Sequence, residues 1–160
     1  MPNTPLQLNG SSLDRRDRTV KPGLTISVVD PDDDYLGIEL YAASERYASA
    51  TRIYAGLDEL SALASQIEGF PESPADERIY EFGSTEPGVA GGFGSLRFCC
   101  PNRSGHAVLE VALEDDDQRY ANASAKFSFR IHAADVDRFA TRLRAIEEAR
   151  SGEAVLQYTA

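Results

Sequence analysis

The sequence lacks the features that direct a chain into or across a membrane. None of its apolar runs approaches the roughly 20 residues that a transmembrane helix needs. The N-terminus, Met1-Pro2-Asn3-Thr4-Pro5, has neither the charged nor the apolar region of a secretory signal peptide. We therefore expect a cytoplasmic protein that has no membrane partner.

Cysteine is also scarce, since Cys99 and Cys100 are the only two in 160 residues. They are neighbours in a predicted strand, where successive side chains point to opposite faces and cannot easily bridge each other. Two reduced thiols fit a reducing compartment, which agrees with the absence of a secretion signal.

Basic residues are in deficit, because 16 Lys and Arg stand against 26 Asp and Glu and give a formal net charge of -10. Such a chain repels phosphate backbones and anionic lipid, so nucleic acid is not expected as a partner. The first 22 residues are an exception with a charge of +2, and subtracting this from -10 leaves -12 on the rest. The charges of this segment are Arg15, Arg16, Arg18 and Lys21 against Asp14 and Asp17.

Motifs that would carry catalysis or metal binding are missing. No Gly-x-Ser-x-Gly, His-Glu-x-x-His or paired Cys-x-x-Cys occurs. His106 and His132 have no partner at zinc-ligand spacing. The acidic run at 30–34 lacks the sixth-position glycine and the twelfth-position glutamate of an EF-hand calcium loop. The glycines at 88–94 lack the GxGxxG spacing and precede a strand rather than a helix, so they do not predict a phosphate site.

One nucleophilic arrangement is conceivable, because a hairpin could bring Cys99 or Cys100 close to His106. No oxyanion element or local motif accompanies the pair, and strand cysteines are commonly inert. We therefore predict no catalytic residue, no metal site and no cofactor, and we interpret the protein as non-enzymatic.

Hydrophobic periodicity predicts an α+β fold with a mainly antiparallel sheet and two helices. Residues 1–23 contain three prolines and polar clusters and are expected to form a flexible arm, in which only Leu6-Gln7-Leu8 hints at a strand. Residues 24–160 are expected to form one domain, with a mobile glycine-rich loop at 83–94. Strands are predicted near 24–29, 36–41, 47–54, 78–82, 96–100, 107–113 and 125–131, and helices near 57–67 and 136–146.

The order strand, turn, strand, connection, strand, helix occurs twice along the chain. Arg46-Tyr47-Ala48 precedes the third strand of the first passage, and Arg119-Tyr120-Ala121 precedes that of the second. We interpret this as an internal duplication that gives two βββα halves related by a pseudo-twofold axis. The shared Arg-Tyr-Ala is interpreted as an inherited turn, with a functional role as the alternative.

Two further stretches carry a family resemblance. Leu96-Arg97-Phe98, a turn, and then Gly105-His106-Ala107-Val108-Leu109-Glu110-Val111 precede a distal amphipathic helix, and Leu57 to Pro71 fits a leucine-rich helix followed by phenylalanine and proline. This pattern resembles small bacterial proteins of unknown function related to the WapI-type immunity proteins. The resemblance implies a protein that binds and neutralises a cognate toxin without performing chemistry.

Charge makes that function physically reasonable, because an acidic surface steers a binder toward basic partners such as nuclease toxins. The alternatives are a small-molecule-binding domain or an undescribed enzyme, with its site between the two halves, and a secretion-chaperone-like protein. The chain could act as a monomer or as a homodimer. The predicted contact residues are carboxylates on two turns, namely Asp32, Asp33, Asp34, Asp115, Asp116 and Asp117.

Overall fold

The computed structural model describes residues 22–86, 91–102, 106–115 and 123–159. Residues 1–21 of the arm predicted at 1–23 lie outside these ranges, as do parts of the glycine-rich loop and of the second acidic run. The described elements are, in chain order, β1 (Gly23–Pro31), β2 (Leu36–Ala43), β3 (Ala48–Ala55), α1 (Glu59–Ile67), β4 (Glu77–Gly83), β5 (Phe93–Cys99), β6 (Ala107–Asp115), β7 (Ala123–Ile131), α2 (Ala133–Ala149) and β8 (Glu153–Gln157).

The strands form two antiparallel four-stranded sheets, ordered β3-β2-β1-β8 and β4-β5-β6-β7. The predicted α+β class and both predicted helices are confirmed. The helices form because their apolar residues recur every three or four positions and so share one face. The buried helical residues are Leu60, Leu63, Ala64 and Ile67 in α1 and Val136, Phe139, Ala140, Leu143 and Ile146 in α2.

The last strand of each half lies in the sheet of the other half. Strand β4, which follows α1, pairs with β5, whereas β8, which follows α2, pairs with β1. Each half therefore consists of the predicted βββα unit followed by one further strand. Sequence periodicity missed β8 because it has only five residues and buries only Ala154 and Leu156.

The strands of the two sheets are also paired in equivalent registers. Ile26, Leu40 and Thr51 lie opposite one another across β1, β2 and β3. Across β5, β6 and β7 the same places are taken by Leu96, Val111 and Phe127. The equivalence extends to β8 and β4, because Ala154 of β8 pairs with Ile26 and Tyr80 of β4 pairs with Leu96. This is the arrangement that an internal duplication predicts.

A shift of 76 residues relates the third strand and the helix of one half to those of the other. It carries Thr51 to Phe127 and the buried face of α1, from Leu60 to Ile67, onto α2 from Val136 to Leu143. By the same shift the counterpart of Ala48 is Ser124 rather than Ala121. The equivalence of the halves is thus expressed in burial and register and not in the Arg-Tyr-Ala sequence, whose second copy lies outside the described residues.

A single hydrophobic cluster contains residues of both sheets and both helices. The helices pack against each other, with α2 also against β8 and α1 also against β4, while β3 packs across β4, β5 and β6. Neither described helix combines the length and the apolar composition needed to cross a bilayer.

The contact between β3 and the second sheet depends on a glycine. Gly92 donates its N–H to the carbonyl of Arg52 at 2.8 Å, and the hydroxyl of Thr51 donates to the carbonyl of Glu114 at 2.9 Å. Thr51 is the only buried polar side chain among the described residues. A Cβ at position 92 would overlap the Thr51 hydroxyl and approach the Glu114 carbonyl oxygen to 2.7 Å, so the two sheets can meet here only because residue 92 has no side chain.

We therefore expect Gly92→Ala to lower the free energy of unfolding by about 1–3 kcal/mol, the usual cost of overpacking a close contact. Gly56→Ala is the matched control, because its nearest neighbour would be Glu59 Cγ at 3.5 Å, an ordinary contact. Urea unfolding curves give the midpoint and the free energy of unfolding of both variants. Equal midpoints for G92A and G56A would contradict this account of the contact.

Candidate functional site

The predicted acidic turn connects β1 to β2 and exposes Asp32, Asp33 and Asp34. Its backbone is held locally, since Asp32 donates its N–H to the Tyr35 carbonyl at 3.0 Å and the Asp32 carboxylate accepts the N–H of Asp34 at 3.1 Å. From the other half, the Arg150 guanidinium donates to the carbonyl of Asp32. The turn is therefore fixed in place before any partner arrives.

Two tyrosines lie beside this turn. The Tyr35 hydroxyl donates to the Asp30 carboxylate at 3.4 Å, and the negative charge of Asp30 raises the pKa of Tyr35. The Tyr35 ring meets the Tyr54 ring edge-on with centroids 5.1 Å apart, and Tyr54 is 54% exposed. We call Asp30, Asp32, Asp33, Asp34, Tyr35 and Tyr54 the acidic turn surface.

This surface combines carboxylates with an aromatic pair. A carboxylate can accept two parallel hydrogen bonds from a guanidinium, and aromatic faces attract the same cation. Sequence reasoning found the carboxylates but missed Tyr54, because its place beside the turn follows from the pairing of Tyr54 with Gly37 across β2 and β3.

The second predicted acidic group is only partly described. Asp115 is exposed at the end of β6, in the other sheet from the acidic turn surface. Asp116 and Asp117 lie outside the described residues. The described contacts do not join Asp115 to the Asp32–Asp34 turn.

The two cysteines are buried and unbridged. Cys100, which follows β5, belongs to the hydrophobic cluster, whereas its neighbour Cys99 at the end of the strand is not part of it. Burial raises the pKa of both thiols, which disfavours the nucleophilic thiolate. His106 is exposed, and no described hydrogen bond joins it to either thiol. Within the described ranges, no three Asp, Glu, His or Cys residues gather as a metal site would require.

A carboxylate cluster that sequence reasoning missed surrounds the N-terminus of α1. Glu147 of α2 accepts the Ser61 N–H at 3.2 Å and also the Ser61 hydroxyl. Glu59 accepts the N–H of Gly56 at 2.6 Å and the hydroxyl of Tyr80 at 3.3 Å. The bond from Ser61 satisfies an N–H group that the first turn of the helix leaves free, and the bond from Gly56 fixes the chain that leads into the helix. The cluster therefore joins α1 to α2 and β4, and its geometry is that of a structural cap.

An open groove lies between the two halves, beside the edge of β7. Its volume is about 470 Å³. Its described lining contains neither a carboxylate nor a histidine. The lining residues are Ser44, Tyr47, Ala125, Lys126, Phe127, Ser128 and Phe129, and we call this feature the β7 groove. No local sequence signal could reveal it, because it joins segments about 80 residues apart.

Comparisons of the chain with protein-family models, with curated proteins and with solved structures each found no match. The resemblance to proteins related to the WapI-type immunity proteins therefore stays a hypothesis.

The Tyr80 environment gives a measurable pH effect. Burial, followed by the Glu59 charge, raises the pKa of Tyr80 to about 12, above the ordinary value of about 10. Because the folded state favours the neutral phenol, this contribution to stability is complete below pH of about 10 and is lost as pH rises toward 12. In an NMR titration we expect the Tyr80 ring to remain neutral at pH of about 11. The variant Tyr80→Phe identifies the NMR signal of the Tyr80 ring. Half-ionisation of this ring near pH 10 would contradict the described burial and the Glu59 hydrogen bond.

Proposed function

We propose that this protein is a non-enzymatic binding protein that uses the acidic turn surface to hold a basic partner protein. The observation that carries the proposal is the fixed turn, in which Asp32, Asp33 and Asp34 are exposed next to the Tyr35 and Tyr54 rings. Because its backbone is already hydrogen bonded, binding a cation there costs little ordering of the turn.

The charge of the whole chain supports the same proposal. A net charge of -10 attracts a basic partner from a distance and raises the rate of productive encounter. The tyrosines then supply contact area with few rotatable bonds, which is why aromatic residues are frequent at the centres of interfaces.

The partner class follows from the family resemblance together with this charge. Proteins that bind nucleic acid present basic surfaces, and a nuclease toxin is one such protein. We propose that the chain acts in the cytoplasm as an immunity protein that covers a basic toxin and so keeps it from its substrate. This proposal needs no cofactor and no catalytic residue.

One observation favours a second candidate. The β7 groove has the volume of a small-molecule site and lies between the two halves. It is open, and the described lining offers Lys126 as its single charged side chain, with the hydroxyls of Ser44, Ser128 and Tyr47. This lining suits a small apolar molecule with a polar group that can bond to a hydroxyl or to Lys126.

The experiment measures the rate at which the protein associates with a candidate toxin, the product of the gene that neighbours its own. Replacing Asp32, Asp33 and Asp34 with Asn should slow association roughly fivefold at low ionic strength, because these charges would no longer steer the encounter. The loss should shrink as salt shortens the Debye length to about 10 Å at 0.1 M and about 3 Å at 1 M.

The matched control replaces Glu45, Glu72 and Glu81 with Gln, which changes the net charge equally at exposed positions that make no described contact with the turn. If the charges act only through long-range attraction, the two triple variants will lose association rate equally. The proposal requires a larger effect at the turn, and absence of binding or equal effects of the two variants would refute it.

A further inference from the structure

Strand β7 is an open edge of the second sheet. It pairs with β6 on one side only. Thr159 donates its N–H to the Arg130 carbonyl at 2.8 Å, which shows that the backbone groups of Arg130 point away from β6. By antiparallel geometry those of Ser128, Lys126 and Ser124 point the same way. Within the described residues, no backbone group bonds to these three, and exposed edges of this kind are usually covered.

The apolar side chains of the same strand line the β7 groove. Phe127 and Phe129 stack with centroids 5.8 Å apart and an angle of 12°, and Ala125 beside them is half-buried. The edge thus offers unpaired hydrogen-bonding groups next to an apolar groove. An extended segment that adds a strand to a sheet uses both of these features.

The other half shows what covers an equivalent edge. At β3, the chain that immediately precedes β5 lies along the strand, and Gly92 donates to the Arg52 carbonyl. The strand register makes Ser128 of β7 the equivalent of Arg52 of β3. Leu24 and Gly94 are likewise equivalent, so Pro22 corresponds to Gly92. Proline has no N–H to donate. Pro22 therefore lies in the corresponding place but cannot make the corresponding bond.

The N-terminal arm leaves the described fold at the rim of the β7 groove. The Pro22 carbonyl accepts the N–H of Tyr158 at 2.9 Å, and the Tyr158 ring meets that of Phe129 edge-on at 6.2 Å. Residues 9–21 can span up to about 45 Å when extended. The edge from Ala123 to Ser128 is only about 20 Å long, so Leu6-Gln7-Leu8 can reach all of it.

We propose that Leu6-Gln7-Leu8 adds to the edge of β7 as a fifth strand of the second sheet. Leu6 and Leu8 are two residues apart, as are Ala125 and Phe127, so both leucines would face the groove. The basic charge of the arm favours its return to a body that carries -12. Lys126 disfavours the rival occupant, a second copy of β7, because antiparallel pairing of two copies near this residue would bring two lysines together.

Hydrogen exchange of the full-length protein tests the proposal, with NMR following the amides of Lys126 and Ser128. Replacing both Leu6 and Leu8 with Asp should speed their exchange at least about tenfold, since the arm would no longer seat in the groove and an exposed edge opens at almost no cost in free energy. Leu13→Asp changes charge in the same arm and should leave the exchange unchanged. The amide of Leu109 in β6 checks that the fold is intact.

Addition of a peptide of residues 1–12 to the Leu6/Leu8 double variant should restore slow exchange, which separates docking from any loss of stability. Equal exchange at Lys126 and Ser128 in the wild-type protein and the double variant would overturn the proposal. Protection that grows with protein concentration would overturn it as well, because it would place a second copy on the edge.

Discussion

The exchange of last strands between the halves is the constraint on which the fold depends. Strand β8 completes the sheet of the first half, and β4 completes that of the second. Neither half can therefore pair all the backbone hydrogen-bonding groups of its own first strand, and neither can enclose its own apolar face. The helices, which connect to the exchanged strands, are brought side by side, and the Glu147 cap on Ser61 fixes them there. One hydrophobic cluster across both halves is the result.

The features to which we assign functions lie where the two halves differ. Thr51 and Phe127 occupy equivalent positions, yet one closes a contact between the sheets and the other lines an open groove. Gly92 and Pro22 also correspond, and only the glycine can donate a hydrogen bond to the neighbouring edge. The acidic turn between β1 and β2 likewise has a different counterpart, Cys100 to His106, between β5 and β6. A duplicated unit can keep its core while its turns and edges acquire separate roles, and the proposed binding surface and the proposed arm site are both of this kind.

Most elements follow from local patterns, and most of the site does not. Alternation along β2 and β6 and the helical spacing of α1 and α2 are local signals, so these elements were predictable from sequence. The pairing of β8 with β1 joins residues about 130 positions apart and leaves no periodic trace in the chain. The same holds for Tyr80 with Glu59 and for Tyr54 beside the acidic turn. Charge density on a turn can be seen in a sequence, whereas the rings and backbone bonds that shape it depend on the completed sheet.

The most direct test of this account is native-state hydrogen exchange of the full-length chain in increasing urea. If the exchanged strands make the halves interdependent, the slowest amides of β2 in the first sheet and β6 in the second should exchange through one global opening. They would then share one free energy and one dependence on denaturant. An opening that exposes only one sheet, with a smaller dependence on denaturant, would show that the halves are independent and would contradict the account.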